Sequence, residues 1–294
     1  MTITDLPEAN LSPTHNEFDP YSMDLEGDEA HFLLARLAEE ELPYVDASTN
    51  PDIGSRSIYL LDGTSKFADL ARALEAEVYS IDWKQKRATT REEARELEAN
   101  SRFFLLVDND LDGPQVVGTL RIADCDRGNS ETQEFYKNYF NKTDLPKEIA
   151  LDEGREGAWD IVGVAVSNDA TRRTGLESAW LYFAMHKKSV EERVKKWISN
   201  ITDEEIRNLR DFIGIPFEEI STHEKAHIYD EVGNIVKTLG FFSVDASIVA
   251  ETVEQNIANL EGSRGMKRFI AQIAMIGLWG SITRPNSDAD KIAS

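Results

Sequence analysis

Three places in this chain carry residues suited to chemistry. The segment Ala170-Thr171-Arg172-Arg173-Thr174-Gly175 sets two guanidinium groups and a glycine just before a long segment of helical periodicity. A glycine beside a helix start lets successive backbone N–H groups converge, and with the positive helix end they form a site for an anion. Asp160 stands beside Trp159 at the entrance to an apolar run, where desolvation raises a carboxyl pKa toward working pH; the plainer expectation is a strand-end carboxylate in solvent or in an ion pair. His223-Glu224-Lys225-Ala226-His227 fits H-E-x-x-H, which on a helix turns two imidazoles to one face for zinc, with the glutamate as base. Lys225 opposes that reading, because the matching position of a buried metalloprotease helix is apolar, and Glu251 as a third ligand lacks a supporting motif.

Composition narrows the partners. The 294 residues carry 32 basic and 54 acidic side chains, a net charge of −22. Such a field repels phosphate backbones and anionic lipid, so nucleic acid and membrane surfaces are poor partners, and any anionic ligand needs a local nest of donors. The paired arginines stand out against that background. Cys125 is the single cysteine, which rules out an intramolecular disulfide and a multi-cysteine metal site. The polar, acidic start lacks a signal-peptide pattern, and no apolar run reaches the roughly 18 residues of a spanning helix. The expectation is a soluble, cytoplasmic protein without a bound metal.

The elements that must position these residues follow from periodicity. Residues 1–54 read as an N-terminal extension, a mobile arm followed by an amphipathic helix over Asp28–Leu42 that Pro43 closes. Ser57–Gly63 is a strand, and Phe67, Leu70, Leu74, Val78 and Ile81 share one face of the helix that follows. The runs 102–110 and 115–124 are β-rich and joined by Asp-Gly-Pro, the pattern of an antiparallel hairpin. Residues 125–157 form an insertion with one small helix, and Trp159–Asp169 is a continuous apolar run expected at the centre of a sheet. The spacing of Ala179, Phe183, Val190, Val194 and Trp197 predicts one helix from Leu176 to Ile198. A helix over 202–214 with a Thr202/Glu205 capping box, a strand over 216–221, a helix over 223–240 stopped by Gly240, and a strand over 241–250 complete the domain, which spans 55–251. Residues 252–294 read as a C-terminal helical tail containing the apolar stretch 266–279.

This order of elements, together with AVSNDATRRTGLESAWLYFA at 165–184, resembles the GNAT superfamily of acyl-CoA N-acyltransferases. The resemblance spans roughly residues 56–250 and implies an α+β fold: a curved mixed β-sheet flanked by helices. It implies an enzyme that transfers an acyl group from coenzyme A, acetyl-CoA included, to an amine. Arg172, Arg173, Thr174, Gly175 and Leu176 match the loop that holds the coenzyme A pyrophosphate. Val164, Ala165 and Val166 match the strand whose backbone pairs with the pantetheine arm where that strand splays from its neighbour. Asp160 matches a position where some relatives carry a glutamate base, which aminolysis of a thioester requires.

Two departures stand in that pattern. Glu177 replaces its second small residue and would repel a pyrophosphate unless it points away. Val236 takes the place of the tyrosine that protonates the leaving thiolate ahead of Leu239-Gly240-Phe241, leaving Tyr229, earlier on the same expected helix, as a substitute acid. Residues 55–124 and DFIGIPFEEIS resemble the branch containing acyl-homoserine-lactone and N-acyl amino acid synthases. The acidic charge favours coenzyme A over an acidic carrier protein as donor, and a small cationic amine or amino acid as acceptor. The alternatives are an acyl-CoA-binding module without activity and a zinc hydrolase built on His223, Glu224 and His227. Acyl-chain length and oligomeric state, a homodimer included, stay open.

Overall fold

The structure, a computed structural model, describes residues 25, 27–46, 56–82, 95, 98–109, 113–125, 130–147, 149–150, 157–167, 177–202, 206–207, 210, 215–219, 225–229, 233–249, 252 and 255. The first helix, α1 (Gly27–Glu40), leads to a two-residue strand, β1 (Val45–Asp46), and then to β2 (Arg56–Asp62). Helix α2 (Ala68–Asp82) crosses to the hairpin of β3 (Ser101–Asp108) and β4 (Gln115–Asp124). A short helix, α3 (Glu131–Phe140), precedes β5 (Ala158–Val166), and α4 (Glu177–Glu191) follows it. Four strands complete the described order: β6 (Lys196–Thr202), β7 (Glu218–Glu219), β8 (Ala226–Tyr229) and β9 (Ile235–Asp245).

All nine strands join one sheet in the order β1-β2-β3-β4-β5-β6-β9-β7, with β8 also on β9. Every pairing is antiparallel except β5 with β6. The mixed α+β class and the central place of β5 agree with the apolar runs of the sequence, because a strand covered on both faces needs no polar alternation.

The two faces carry different cores. On one, Phe104, Leu106, Leu120, Ile122, Trp159 and Ile161 pack with α4, whose residues Ala179–His186 are all buried. On the other, Phe103, Leu105 and Val107 meet α1 and α2 through Leu37, Phe67, Leu70 and Ala71. Alternate β3 residues thus serve opposite layers, as the two-residue period of a strand requires. Leu34 and Leu37 of α1 belong to that second core, so residues 27–46 of the expected extension are built into the same fold. Helix α3 covers the sheet further along, with Tyr136 packed edge-on to Phe241 at 5.0 Å between ring centroids.

Two expected helices are corrected. The periodic segment 176–198 stops being helical at Glu191, and its last residues form β6. Arg193 adopts φ 57°, and the amide of Val194 donates to the carbonyl of Ser189 at 2.8 Å, six-residue closure of the kind that ends a helix on a left-handed residue. Trp197 and Ile198 are then buried on opposite faces of the sheet, which a helix could not achieve. The second correction is the helix over 223–240, whose described part is the antiparallel hairpin β8–β9, turning at Gly233 with φ 84°. Gly240 is not a helix stop. It lies within β9, where an added Cβ would sit 2.7 Å from the Phe242 ring.

The last expected strand ends early as well. At Asp245 the carboxylate accepts from the Ser247 amide at 2.9 Å and the chain turns helical over 246–249. Most of 202–214 and the stretch 266–279 lie outside the described residues, while Thr202 itself ends β6. Replacing Arg193 by glycine removes the steric cost of a left-handed side-chain residue, and the variant is expected to gain about 0.5–1 kcal/mol in denaturant unfolding. A midpoint below that of the parent chain would show that the arginine side chain holds the turn.

Candidate functional site

The parting of β5 from β6 makes the site. Their parallel pairing runs from Ala158 opposite Lys196 to Ile161 opposite Ser199 and stops there. Both strands continue: β5 stays on β4 as far as Val166, and β6 stays on β9 as far as Thr202. At the crotch the Ser199 hydroxyl donates to the Ile161 carbonyl at 2.8 Å, taking an acceptor that a ladder amide would otherwise fill. Beyond it, the main-chain groups of β5 on its β6 side have no strand partner among the described residues. Val164, Ala165 and Val166 all lie on this unpaired stretch.

A bulge shapes the same stretch. Arg121 pairs with Gly163 while Ile122 pairs with Ile161, so Val162 is an extra residue in β5. Trp159 and Ile161 face the α4 core, and strict alternation would send residue 163 the same way. The extra residue reverses the parity, and Gly163 instead meets α2. A Cβ at that position would stand 2.5 Å from the Tyr79 hydroxyl and 3.3 Å from Glu75 Oε1. Two polar groups of α2 therefore reach the backbone of β5 only because residue 163 has no side chain.

Below them lies a buried ion network. Arg121, 1% exposed on β4, sits 3.5 Å from Glu75 Oε2, 3.1 Å from Glu98 Oε1 and 2.9 Å from Glu131 Oε1. Burial alone would lower its pKa, but Glu75, Glu131 and Glu98 together raise it, so the guanidinium stays charged. Arg72 extends the network with Glu98 at 2.6 Å and Asp69 at 2.8 Å. Four elements, α2, the turn before β3, β4 and α3, thus share one set of charges. The sequence reading missed this cluster, although Asp69, Arg72, Glu75 and Tyr79 recur at helical spacing beside the apolar stripe and Arg121 interrupts an apolar strand.

Asp160 is fully buried at the crotch of the fork, opposite Ile198. Its carboxylate accepts from Ser130 Oγ at 2.7 Å, the Thr132 amide at 2.8 Å and Thr132 Oγ1 at 2.7 Å. Ser130 is the N-cap of α3 and accepts in turn from the Gln133 amide at 3.0 Å. Thr132 Oγ1 also lies 3.3 Å from Asn200 Oδ1, the first β6 residue past the fork. The start of α3 is thereby stapled to both parting strands. Desolvation raises the Asp160 pKa to about 6, against the lowering effect of the three hydrogen bonds.

The remaining expected site residues are scattered. Residues 171–176, and with them Arg172, Arg173, Thr174, Gly175 and Leu176, lie outside the described residues. Glu177 opens α4; it is buried and its Oε1 lies 3.3 Å from Arg56 Nη2 on β2. Tyr229 lies on β8, 54% exposed, with the His227 ring 6.4 Å away, and not on a helix near the fork. His227 is on the same strand, with Nδ1 3.1 Å from Thr238 Oγ1, while His223 and Glu224 lie outside the described residues. The helical frame that H-E-x-x-H needs is therefore absent at His227. No group of three or more His, Cys, Asp or Glu among the described residues is placed to hold a metal ion, and no described helix is long and apolar enough to cross a membrane.

Four antiparallel strands, a parallel neighbour that splays from the fourth, a helix after the splayed strand and an antiparallel strand beyond define a GNAT-like fold. No family model matches the chain, and no curated protein matches its sequence. Solved structures similar to it include the AHL synthase LasI, with a TM-score of 0.49, 11% identity and coverage of 67% of this chain and 94% of that one. FeeM, an N-acyl amino acid synthase from uncultured soil microbes, has a TM-score of 0.47 at 14% identity over 69% of this chain and 97% of its own. BjaI, a CoA-dependent acyl-homoserine lactone synthase with SAM and isopentyl-CoA, has a TM-score of 0.46 at 10% identity over 68% and 90%.

Two substitutions test this geometry. An asparagine at 160 keeps one oxygen for Ser130 and the Thr132 amide and turns its NH2 to Thr132 Oγ1, so Asp160→Asn is expected to melt at or above the parent temperature at pH 7. The parent carboxyl has a folded pKa raised above its unfolded value, so its contribution is full below about 4 and is lost as pH rises through about 6. That slope, on the order of 3 kcal/mol at most, disappears in the variant. A large drop in melting temperature for Asp160→Asn would contradict the assigned hydrogen bonds. Arg121→Met removes the cation that Glu75 and Glu131 face, leaving Glu98 to Arg72, and is expected to cost about 3–5 kcal/mol in denaturant unfolding. A loss below 1 kcal/mol would mean that the glutamates are paired without it.

Proposed function

We propose that this chain is an N-acyltransferase that moves an acyl group from a coenzyme A thioester to the amine of a small molecule or amino acid. The observation that carries the reading is the fork: β5 leaves β6 after Ile161 and offers an unpaired strand edge at its bulge. An extended pantetheine arm carries amide groups at intervals that let it pair with such an edge as an added strand. The backbone of Val164, Ala165 and Val166 is the proposed partner of that arm. A thioester lying there would have its carbonyl beside Gly163, under the polar groups of α2.

The far end of the donor is assigned to the segment before α4. Its Arg172 and Arg173, the backbone of Thr174, Gly175 and Leu176, and the start of a 15-residue helix supply donors for a pyrophosphate. Glu177 does not oppose this, because its carboxylate is engaged with Arg56. Asp160 acts on this reading as the anchor that fixes α3 against the fork, its three hydrogen bonds setting the wall on which an acceptor would rest. The net charge of −22 favours a cationic acceptor over an anionic one, and a reaction in the cytoplasm, where coenzyme A is made, suits the chain.

A thermal-shift series with coenzyme A thioesters of graded acyl length tests the reading. A ligand at 100 times its Kd stabilises the native state by about 2.7 kcal/mol, enough to move the melting temperature by several degrees. The double variant Arg172→Ala/Arg173→Ala is expected to lose most of that shift. Thiol release with a panel of small amines then separates an enzyme from a module that only binds. No shift with any thioester, or an unchanged shift in the double variant, would overturn the assignment.

A further inference from the structure

We propose that Tyr79 is the general acid of this reaction, giving its phenolic proton to the thiolate that departs when the thioester C–S bond breaks. The inference rests on the acyl-transfer reading above and adds the residue that does the work of an acid at the fork. The sequence leaves that role open, since Val236 holds the position matched to a tyrosine and Tyr229 lies on an exposed edge strand.

Tyr79 comes from α2, half-buried, with its hydroxyl 2.5 Å from the place a Gly163 Cβ would occupy. Gly163 is two residues past the last β5–β6 pair, at the bulge, so the hydroxyl lies over the first open turn of strand edge. A thioester carried along that edge passes directly beneath it. Glu75, one turn earlier on α2, stands 3.3 Å from the same point, and Arg121 lies 3.5 Å from Glu75 Oε2, within electrostatic reach of Tyr79. Arg121 is too buried to touch a ligand, and it acts as a positioning residue that steadies a tyrosinate until it is reprotonated. Its Nη2 has no hydrogen-bond partner among the described residues, which leaves it a donor to spare when negative charge appears nearby.

The step balances without any further reagent. The amine nitrogen attacks the thioester carbonyl carbon and forms the C–N bond. The adduct collapses, the C–S bond breaks, and its electron pair goes to sulfur. The Tyr79 proton passes to that sulfur and leaves a free thiol. The surplus proton on nitrogen goes to water, and Tyr79 recovers a proton from water.

The test compares leaving groups. Tyr79→Phe and the parent chain are assayed with the coenzyme A thioester that the parent turns over best, and with the thiophenyl ester of the same acyl group, whose thiol is far more acidic and leaves unaided. Tyr79→Phe is expected to lose about 100-fold in kcat on the coenzyme A thioester, with KM and melting temperature near those of the parent, and less than about 5-fold on the thiophenyl ester. Gly163→Ala, which pushes the hydroxyl off the strand, is expected to show the same difference in kcat loss between the two donors, whatever its KM. Equal losses on both donors, or no loss on either, would overturn the role of Tyr79 while leaving the acyl-transfer reading intact. A parent chain that turns over no coenzyme A thioester overturns both.

Discussion

A parallel strand pair that stops after four residues governs the rest of this molecule. Once Ile161 and Ser199 have paired, β5 is committed to β4 and β6 to β9, and the two antiparallel ladders pull them apart. Unpaired main-chain groups inside a protein are costly, so an opening of this kind persists only if something answers for it. Ser199 answers for the Ile161 carbonyl, and the extra residue Val162 bends β5 so that the break falls at a defined point. Past that point the β6 side of β5 has no strand partner among the described residues.

The charged groups around the fork solve a separate problem. Two helices, α2 and α3, must lie on the same face of the sheet on either side of the opening and stay there. Apolar packing provides most of the adhesion but is non-directional, and the orientation is set by buried polar contacts. Arg121 joins Glu75 of α2 to Glu131 of α3 across β4, while Asp160 holds the first turn of α3 through Ser130 and Thr132. Such groups gain little net stability over apolar replacements and contribute a fixed geometry instead. The raised pKa of Asp160 is the cost of that arrangement, a carboxylate kept where water cannot reach it.

The parts of the fold legible in the sequence were those with local causes. The alternation and apolar runs of 57–63, 102–110, 115–124 and 159–169 each became a strand, and the 3.6-residue stripe through Phe67, Leu70, Leu74 and Val78 became α2. The errors fell where a tertiary demand overrode a local pattern. Val194 and Trp197 continue the spacing of α4, yet a left-handed Arg193 with no glycine to announce it leaves Val194 in the connection and sends Trp197 into β6. The segment 226–240 has helical spacing and a glycine near its end, yet it pairs with itself across Gly233 and completes the sheet beside β6.

Residue chemistry divides along the same line. Sequence alone determined the net charge, the single cysteine, the order of most elements and the basic glycine segment ahead of α4, because each depends on composition or on residues close along the chain. It also located the strand carrying Asp160, Val164, Ala165 and Val166. Tertiary structure alone decided that Asp160 accepts three hydrogen bonds from the start of α3, that Glu177 turns to Arg56, and that Tyr79 and Glu75 meet β5 at Gly163, some 84 positions further on than Tyr79. Those outcomes turn on a one-residue bulge and on the length of one strand pairing, which set distances between segments remote in sequence and leave no periodic signature within any of them.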